Sequence, residues 1–448
     1  MATSITNAED RAWRQALTSP SLPEVHGTLP VPRDAAVWRK LLAFAGPGFL
    51  VAVGYMDPGN WATDLAGGSR YNYTLLSVIM VSNFMAILLQ ALAIKLGVVT
   101  GRDLAQACRD HFSKPVSIGL WVFAEIAIAA CDLAEVIGSA IALNLLFHIP
   151  LLLGVCLTAG DVLLILFLQQ RGFRFLEALV ISLIVTVSVC FGMEVFFSQP
   201  SLSGILRGFF VPSPEIIRDP SMLYIAVGIL GATVMPHNLY LHSAVVQTRN
   251  FERTRRGKRE AIRFCTIDST VALTIALFVN AAILIVSAAT FYRSGHFEVA
   301  EIQDAYKLLT PLLGITGAST VFALALLASG QNSTLTGTLA GQVVMEGFLN
   351  IRIRPWLRRL ITRTLAIVPA VIVTAFWGER GTAQLLVLSQ VVLSMQLSFA
   401  VFPLVRFTSD RAKMGEFVNA SWLKWLSWVT AVFILVLNAW LLVQATRG

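Results

Sequence analysis

The chain has 448 residues, of which 56% are hydrophobic and 13% charged, with a formal net charge of +8 and a mean hydropathy of +0.71. A soluble globular domain carries about 25% charged residues, so this composition excludes that class and places the chain in a bilayer. The positive charge is not a nucleic-acid signal because the cations fall between apolar runs. The five cysteines show no CxxC pairing, which argues against a disulfide framework or a thiolate metal site.

Residues 1–40 are polar, with Pro, Ser, Asp and Arg and no apolar core of a signal peptide. They read as a mobile cytoplasmic tail. Eleven apolar runs of spanning length follow, at about 43–68, 72–98, 115–146, 149–169, 174–196, 221–247, 264–292, 310–347, 359–377, 382–406 and 422–445. The first is interrupted by Tyr55-Met56-Asp57-Pro58-Gly59-Asn60, and the sixth by Gly231-Ala232-Thr233-Val234-Met235-Pro236-His237-Asn238. Span three carries Glu125, Asp132 and Glu135; span four carries Asp161, for which no partner is evident. Span eight exceeds one perpendicular crossing, so tilt or a helical extension is expected. Its Gln331-Asn332-Ser333-Thr334 stretch, like Asn280 in span seven, either lines an outer vestibule or hydrogen-bonds between helices.

Cations set the orientation. The segment after span six holds Arg249, Arg253, Arg255, Arg256, Lys258, Arg259 and Arg263, and the one after span eight holds Arg352, Arg354, Arg358, Arg359 and Arg363. Loops after spans two, four and ten are also basic, and the loop after span seven is acidic. This alternation puts the N-terminus in the cytoplasm and the C-terminus outside. Spans one to five (43–196) and six to ten (221–406) then run in opposite senses, with span eleven (422–445) left over. The expected fold is an all-α membrane transporter domain over 41–445, with eleven transmembrane helices and a LeuT-like inverted five-helix repeat whose first members, spans one and six, are broken.

Pro58 and Gly59 unwind span one after Asp57, and Pro236 unwinds span six after Met235. Carbonyls freed at membrane depth are tolerated only where they line a cavity or are buried in protein. Asp57 fits two roles, helix cap or ion ligand; an uncompensated carboxylate at that depth costs at least ~2.5 kcal/mol, which favours the ligand. Asn60 adds a carbonyl oxygen. A methionine in a membrane helix is usually packing, but Met235 stands directly before the break, where its soft sulfur suits Mn²⁺, Fe²⁺, Co²⁺ or Cd²⁺ and not Mg²⁺ or Ca²⁺. The Ala232 carbonyl, one turn earlier, is a further candidate ligand. His237 is read as proton path or gate and not as a ligand.

These segments resemble the Nramp family of divalent metal transporters. Asp57-Pro58-Gly59-Asn60 and Met235-Pro236-His237-Asn238 match its motifs for spans one and six, and Asp132-Leu133-Ala134-Glu135 and Leu388-Ser389-Gln390-Val391-Val392-Leu393-Ser394 extend the match. The resemblance covers nearly the whole chain apart from the tail and is closest to the bacterial manganese-transporter branch. It implies proton-coupled import of Mn²⁺ and Fe²⁺, often Co²⁺ and Cd²⁺, through a bacterial inner membrane. It maps the metal site onto Asp57, Asn60, Met235 and the Ala232 carbonyl, with Gln390 joining in some conformations. One departure is Ser398, where many relatives are expected to have proline.

Glu125, Asp132 and Glu135 fall on one helical face, which implies a water-filled path or basic partners. Arg358 and Arg359 are the partners the resemblance suggests. Two readings fit: a proton path from Asp57 through His237 and Glu135 to Asp132 and past span nine, or a static ion-pair network. A cation-coupled amino-acid symporter of the same architecture is the alternative function, although a fixed acid at the break repels a substrate carboxylate. An intramembrane enzyme lacks support, as neither HExxH nor GxSxG occurs. No resident cofactor and no nucleic-acid partner are expected; the partners are the divalent ions, protons and the lipid bilayer.

Overall fold

The computed structural model describes residues 13–15, 19–32, 35–160, 171–297, 299, 301–314, 317–351 and 353–447; for residues 159, 355, 356, 358, 359, 362, 377–380 and 444–447 it describes the backbone alone. The described chain is helical almost throughout, and its one sheet is a two-residue parallel pairing of Leu29–Pro30 with Arg249–Asn250. Among the described residues eight helices are long and apolar enough to cross a membrane, corresponding to spans one, two, three, five, six, seven, ten and eleven. Span eight is the long but more polar helix Ala318–Leu349, and span nine contains the shorter apolar helix Arg363–Phe376. Span four opens with Leu151–Leu157; residues 161–170, including Asp161, lie outside the described residues.

Both expected breaks are present. Span one consists of Pro47–Ala52, a tight turn over Val53–Met56, the extended residue Asp57 (φ −67°, ψ 165°) and a new helix Pro58–Tyr71. Span six consists of Pro220–Thr233, then Val234 (φ −112°, ψ 78°) and Met235 (φ −79°, ψ 126°), then Pro236–Val245. In each case proline opens the second half-helix. Its fixed φ suits a first helical position and its missing N–H ends the preceding helix.

Two expectations are corrected. Spans nine and ten are not separated by a loop: the backbone is helical from Pro355 to Thr408. Gly378 and Gly381 weaken a helix but, unlike the prolines of spans one and six, remove no hydrogen bond. The described residues of the tail are not free either. The Ser21 hydroxyl donates to Asp103 Oδ2 at 2.6 Å, and the Leu22 N–H donates to Glu346 Oε2 at 2.9 Å. The Gly27 N–H meets the Gln247 carbonyl at 3.0 Å. The Trp13 ring lies 5.6 Å from that of Phe407 and 4.8 Å from the Arg102 guanidinium.

Candidate metal site

The two breaks meet at the centre of the molecule. Gly54, in the turn before Asp57, packs so closely on the Asn238 amide that a Cβ there would overlap it. Gly138 of span three packs in the same way on Pro58, and Gly231 packs on the Gln390 carbonyl and on Ser394 of span ten. Four spans are thereby drawn onto one point.

Asp57 is fully buried. Its Oδ1 accepts the Asn60 N–H at 2.8 Å, so it does cap its helix, while Oδ2 has no hydrogen-bond partner. The cap thus uses one oxygen of the carboxylate and leaves the other without a partner. Asn60 is arranged similarly: Nδ2 donates to the Tyr55 carbonyl at 2.6 Å and Oδ1 is unpartnered. The Gln390 amide lies where a Cβ on Gly59 would sit; it donates to Ser389 Oγ at 3.1 Å, and its Oε1 is unpartnered.

Met235 is wholly buried beside Ala127, Cys131 and Leu393, and its sulfur accepts only a long contact of 3.6 Å from Asn238 Nδ2. Ala232 is buried one turn earlier, and the residue four positions on is Pro236, which has no N–H for its carbonyl. His237 is buried with both ring nitrogens unpartnered. Buried polar groups without partners are uncommon; Asp57 Oδ2, Asn60 Oδ1, both His237 nitrogens and Asn238 Oδ1 are such atoms at the two breaks. Among the described residues no three His, Cys, Asp or Glu side chains cluster as a metal site. The donor set available to an ion is therefore one carboxylate, two amides, a thioether and a freed carbonyl.

Span three brings Asp132 and Glu135 to one turn of span eight: a Cβ added at Gly337 would stand 3.0 Å from Glu135 Oε1 and 3.3 Å from Asp132 Oδ1. Glu135 accepts from Ser333 Oγ at 2.9 Å and Thr334 Oγ1 at 3.1 Å, and pairs with Arg363 at 3.3 Å. The span-eight polar stretch thus bonds between helices. Asn332 does so as well, donating to the Val180 carbonyl at 3.3 Å. Glu125 is partly exposed and accepts from Trp121 Nε1 at 3.0 Å. The side chains of Arg358 and Arg359 lie outside the described residues.

Arg363 is the basic partner that sequence reasoning overlooked. Its number was in the cationic run after span eight, one turn beyond Arg359, and so on the same helical face. Asn280 was assigned to a vestibule or a helix contact; it donates to the freed Tyr55 carbonyl at 2.8 Å. Ser329 hydrogen-bonds the Met56 carbonyl. Gln90 bridges the Tyr55 hydroxyl at 2.7 Å and His242 Nδ1 at 2.9 Å. Polar residues inside otherwise apolar spans were the available signal for all of these.

A helical membrane protein with two half-helix pairs abutting at a buried polar centre has the architecture of an inverted-repeat secondary transporter. Mhp1, a nucleobase-cation-symport-1 family transporter, shares this fold in a closed conformation with a TM-score of 0.59 at 15% identity, over 90% of this chain and 92% of that one. The chain belongs to the Nramp family: the model of natural resistance-associated macrophage protein-like proteins matches residues 48–444. The divalent metal cation transporter MntH of Listeria welshimeri is 65% identical over 437 residues, covering 98% of this chain and 97% of that protein. The Eremococcus coleocola manganese transporter, solved with an aromatic bis-isothiourea compound, superposes with a TM-score of 0.88 at 42% identity, over 94% of this chain and 90% of that one.

Proposed function

We propose that this chain imports divalent transition-metal ions, Mn²⁺ and Fe²⁺ with Co²⁺ and Cd²⁺ as further substrates, by alternating access coupled to protons across a bacterial plasma membrane. Membership of the family and the name of its 65%-identical relative support divalent metal cations as the cargo. The observation that carries the chemistry is the pair of unfilled donors on the two breaks: Asp57 Oδ2, with no partner, and the Met235 sulfur, with one weak contact. A hard carboxylate and a soft thioether together suit a borderline cation and offer little to Mg²⁺ or Ca²⁺. Asn60 Oδ1, Gln390 Oε1 and the Ala232 carbonyl complete the proposed ligand set.

Each charge moving through 100 mV gains ~2.3 kcal/mol, so an inside-negative potential already drives a divalent ion inward. Proton coupling then tunes the cycle as well as powering it. The proposed route leaves Asp57 through His237 to Glu135 and Asp132. The acid at the break disfavours the amino-acid symporter, because it repels the carboxylate such a protein must hold.

Competition uptake in proteoliposomes tests the site. Mn²⁺ uptake in the wild type is expected to be blocked by Cd²⁺ and little affected by Ca²⁺ or Mg²⁺. Met235→Ala is expected to weaken Cd²⁺ competition about tenfold, a loss of ~1.4 kcal/mol, while leaving the weak Ca²⁺ competition as it was. Equal competition by Cd²⁺, Ca²⁺ and Mg²⁺ in the wild type would reject the selectivity argument.

A further inference from the structure

An elongated groove of about 690 Å³ runs along the outside of the helix bundle between spans three, ten and eleven. Its walls include Phe112, Phe123, Phe399, Phe402, Trp428 and Leu442. Three features separate it from an ordinary lipid-facing surface. The first is length. On span ten the lining runs from Met395 to Arg406, eleven residues on, or about 16 Å of helix at 1.5 Å per residue; one leaflet contributes about half of a ~30 Å hydrocarbon core. The second is charge at one end. Arg406 lines the mouth, is exposed, and makes no ion pair with a described carboxylate. Lys114 begins span three at the same end and is also exposed. The third is a polar atom inside. Ser398 lines the groove, is 7% exposed, and its hydroxyl has no partner.

We propose that the groove is a seat for one anionic phospholipid, with its phosphate on Arg406 and an acyl chain lying along the aromatic wall, past Ser398, to mid-membrane. The leaflet is the one that the charge distribution assigns to the cytoplasm, where an anionic headgroup meets a basic protein surface. A phosphate accepts hydrogen bonds from a guanidinium in a planar, two-pronged geometry.

The seat bears on transport through span ten. Ser394 and Asn438 are joined at the deep end of the groove, Ser394 Oγ to Asn438 Oδ1 at 3.0 Å and Asn438 Nδ2 to the Ser394 carbonyl at 2.8 Å. Gln390, one turn further along span ten, lies against Gly59 at the break of span one. A lipid wedged between spans three, ten and eleven holds the helix that carries Gln390. This rests on the proposed role of Gln390 only for its effect on uptake; the binding itself does not depend on it.

Native mass spectrometry of the full chain, released from micelles containing equal phosphatidylglycerol and phosphatidylcholine, tests the seat. The wild type is expected to retain one phosphatidylglycerol in preference to phosphatidylcholine. Arg406→Gln is expected to lower that retention about fivefold. Ala439→Phe, which fills the groove from its exposed rim, is expected to abolish it. Melting temperatures in lipid-free detergent serve as the folding control for both variants. Equal retention of the two lipids by the wild type overturns the proposal, as does wild-type retention in both variants. Loss in Arg406→Gln alone reduces it to a surface charge effect and rejects the groove.

Discussion

Glu135 is buried, and three side chains hold its carboxylate at once. Ser333, Thr334 and Arg363 all reach its carboxylate, at 2.9, 3.1 and 3.3 Å. Removing one member of a buried ion pair costs ~3–5 kcal/mol because the other charge is left without compensation. Glu135→Gln therefore confounds transport with folding. Asp132 is the better probe. It lies one turn nearer the cytoplasm on the proposed topology and faces the same turn of span eight at Gly337. Asp132→Asn keeps the shape of the side chain, removes its titration and leaves the Glu135–Arg363 pair in place. Its expected effect is a flattened pH dependence of Mn²⁺ uptake, with Mn²⁺ affinity close to wild type because Asp57 and Met235 are untouched. The measurement is initial uptake from pH 5 to 8 in proteoliposomes. A full pH dependence in that variant rejects the path and leaves the static network.

The half-helices were legible because proline and glycine act locally: Pro58 and Pro236 end a hydrogen-bond ladder whatever surrounds them. The unfilled atoms followed from the same logic, since a broken helix at membrane depth exposes polar groups that something must use. Two features of the chain were not local, and both were misread. The spacing of apolar runs suggested a loop between spans nine and ten, yet the backbone stays helical through Gly378 and Gly381. The tail, polar and without periodicity, read as unstructured, but its partners are far along the chain at Asp103, Gln247 and Glu346. Single-sequence patterns do not report contacts separated by 82 to 324 residues, as these are. Burial is the largest influence on Asp103, which lies beyond the end of span two, and pushes its carboxyl up to about 6 against the opposing hydrogen bond from Ser21. Ser21→Asp sets a second carboxylate against that buried acid, with Glu346 close by at Leu22. The expected result is release of residues 19–32. Hydrogen exchange reads it directly: the Leu22, Gly27 and Val31 N–H groups are bonded in the docked tail, and their protection should fall at least about tenfold when a bond to a charged group is lost. Unchanged protection places the docking energy elsewhere, in Trp13 or the short strand pairing.

At the scale of the whole molecule, alternating access requires one side of the site to be held shut while the other opens. The first turns of span one are gripped from three directions on the side assigned to the cytoplasm. Span five supplies Arg174, which donates to the Ala45 and Ala43 carbonyls at 2.8 and 2.6 Å. Arg249, following span six, donates to the Ala43 carbonyl at 3.2 Å and to Glu177 of span five at 2.6 Å. Span seven supplies Asp268, which accepts the Gly46 and Gly48 N–H groups at 3.1 and 2.7 Å. Backbone groups that the distorted start of span one leaves unbonded are thereby satisfied by side chains of its neighbours. In the proposed alternating-access cycle, opening on this side breaks these bonds, as a clamp with two states requires. Glu177 joins the two arginines and is the residue whose loss loosens both. Glu177→Gln is expected to shift the population toward the state open to the cytoplasm, slowing net uptake because the return step becomes limiting. Cys131 is a native reporter, buried against Met235 at the wall of the site. Its alkylation by a membrane-impermeant thiol reagent, read by mass spectrometry of the span-three peptide, should rise about tenfold when a hydrogen bond to a charged group is removed from the closed state. Reagent applied from the opposite face should react more slowly than with the wild type, since a population drawn to one side is withdrawn from the other. A rise from both faces signals a loosened fold, and no change from either shows that the clamp is not what keeps this side closed.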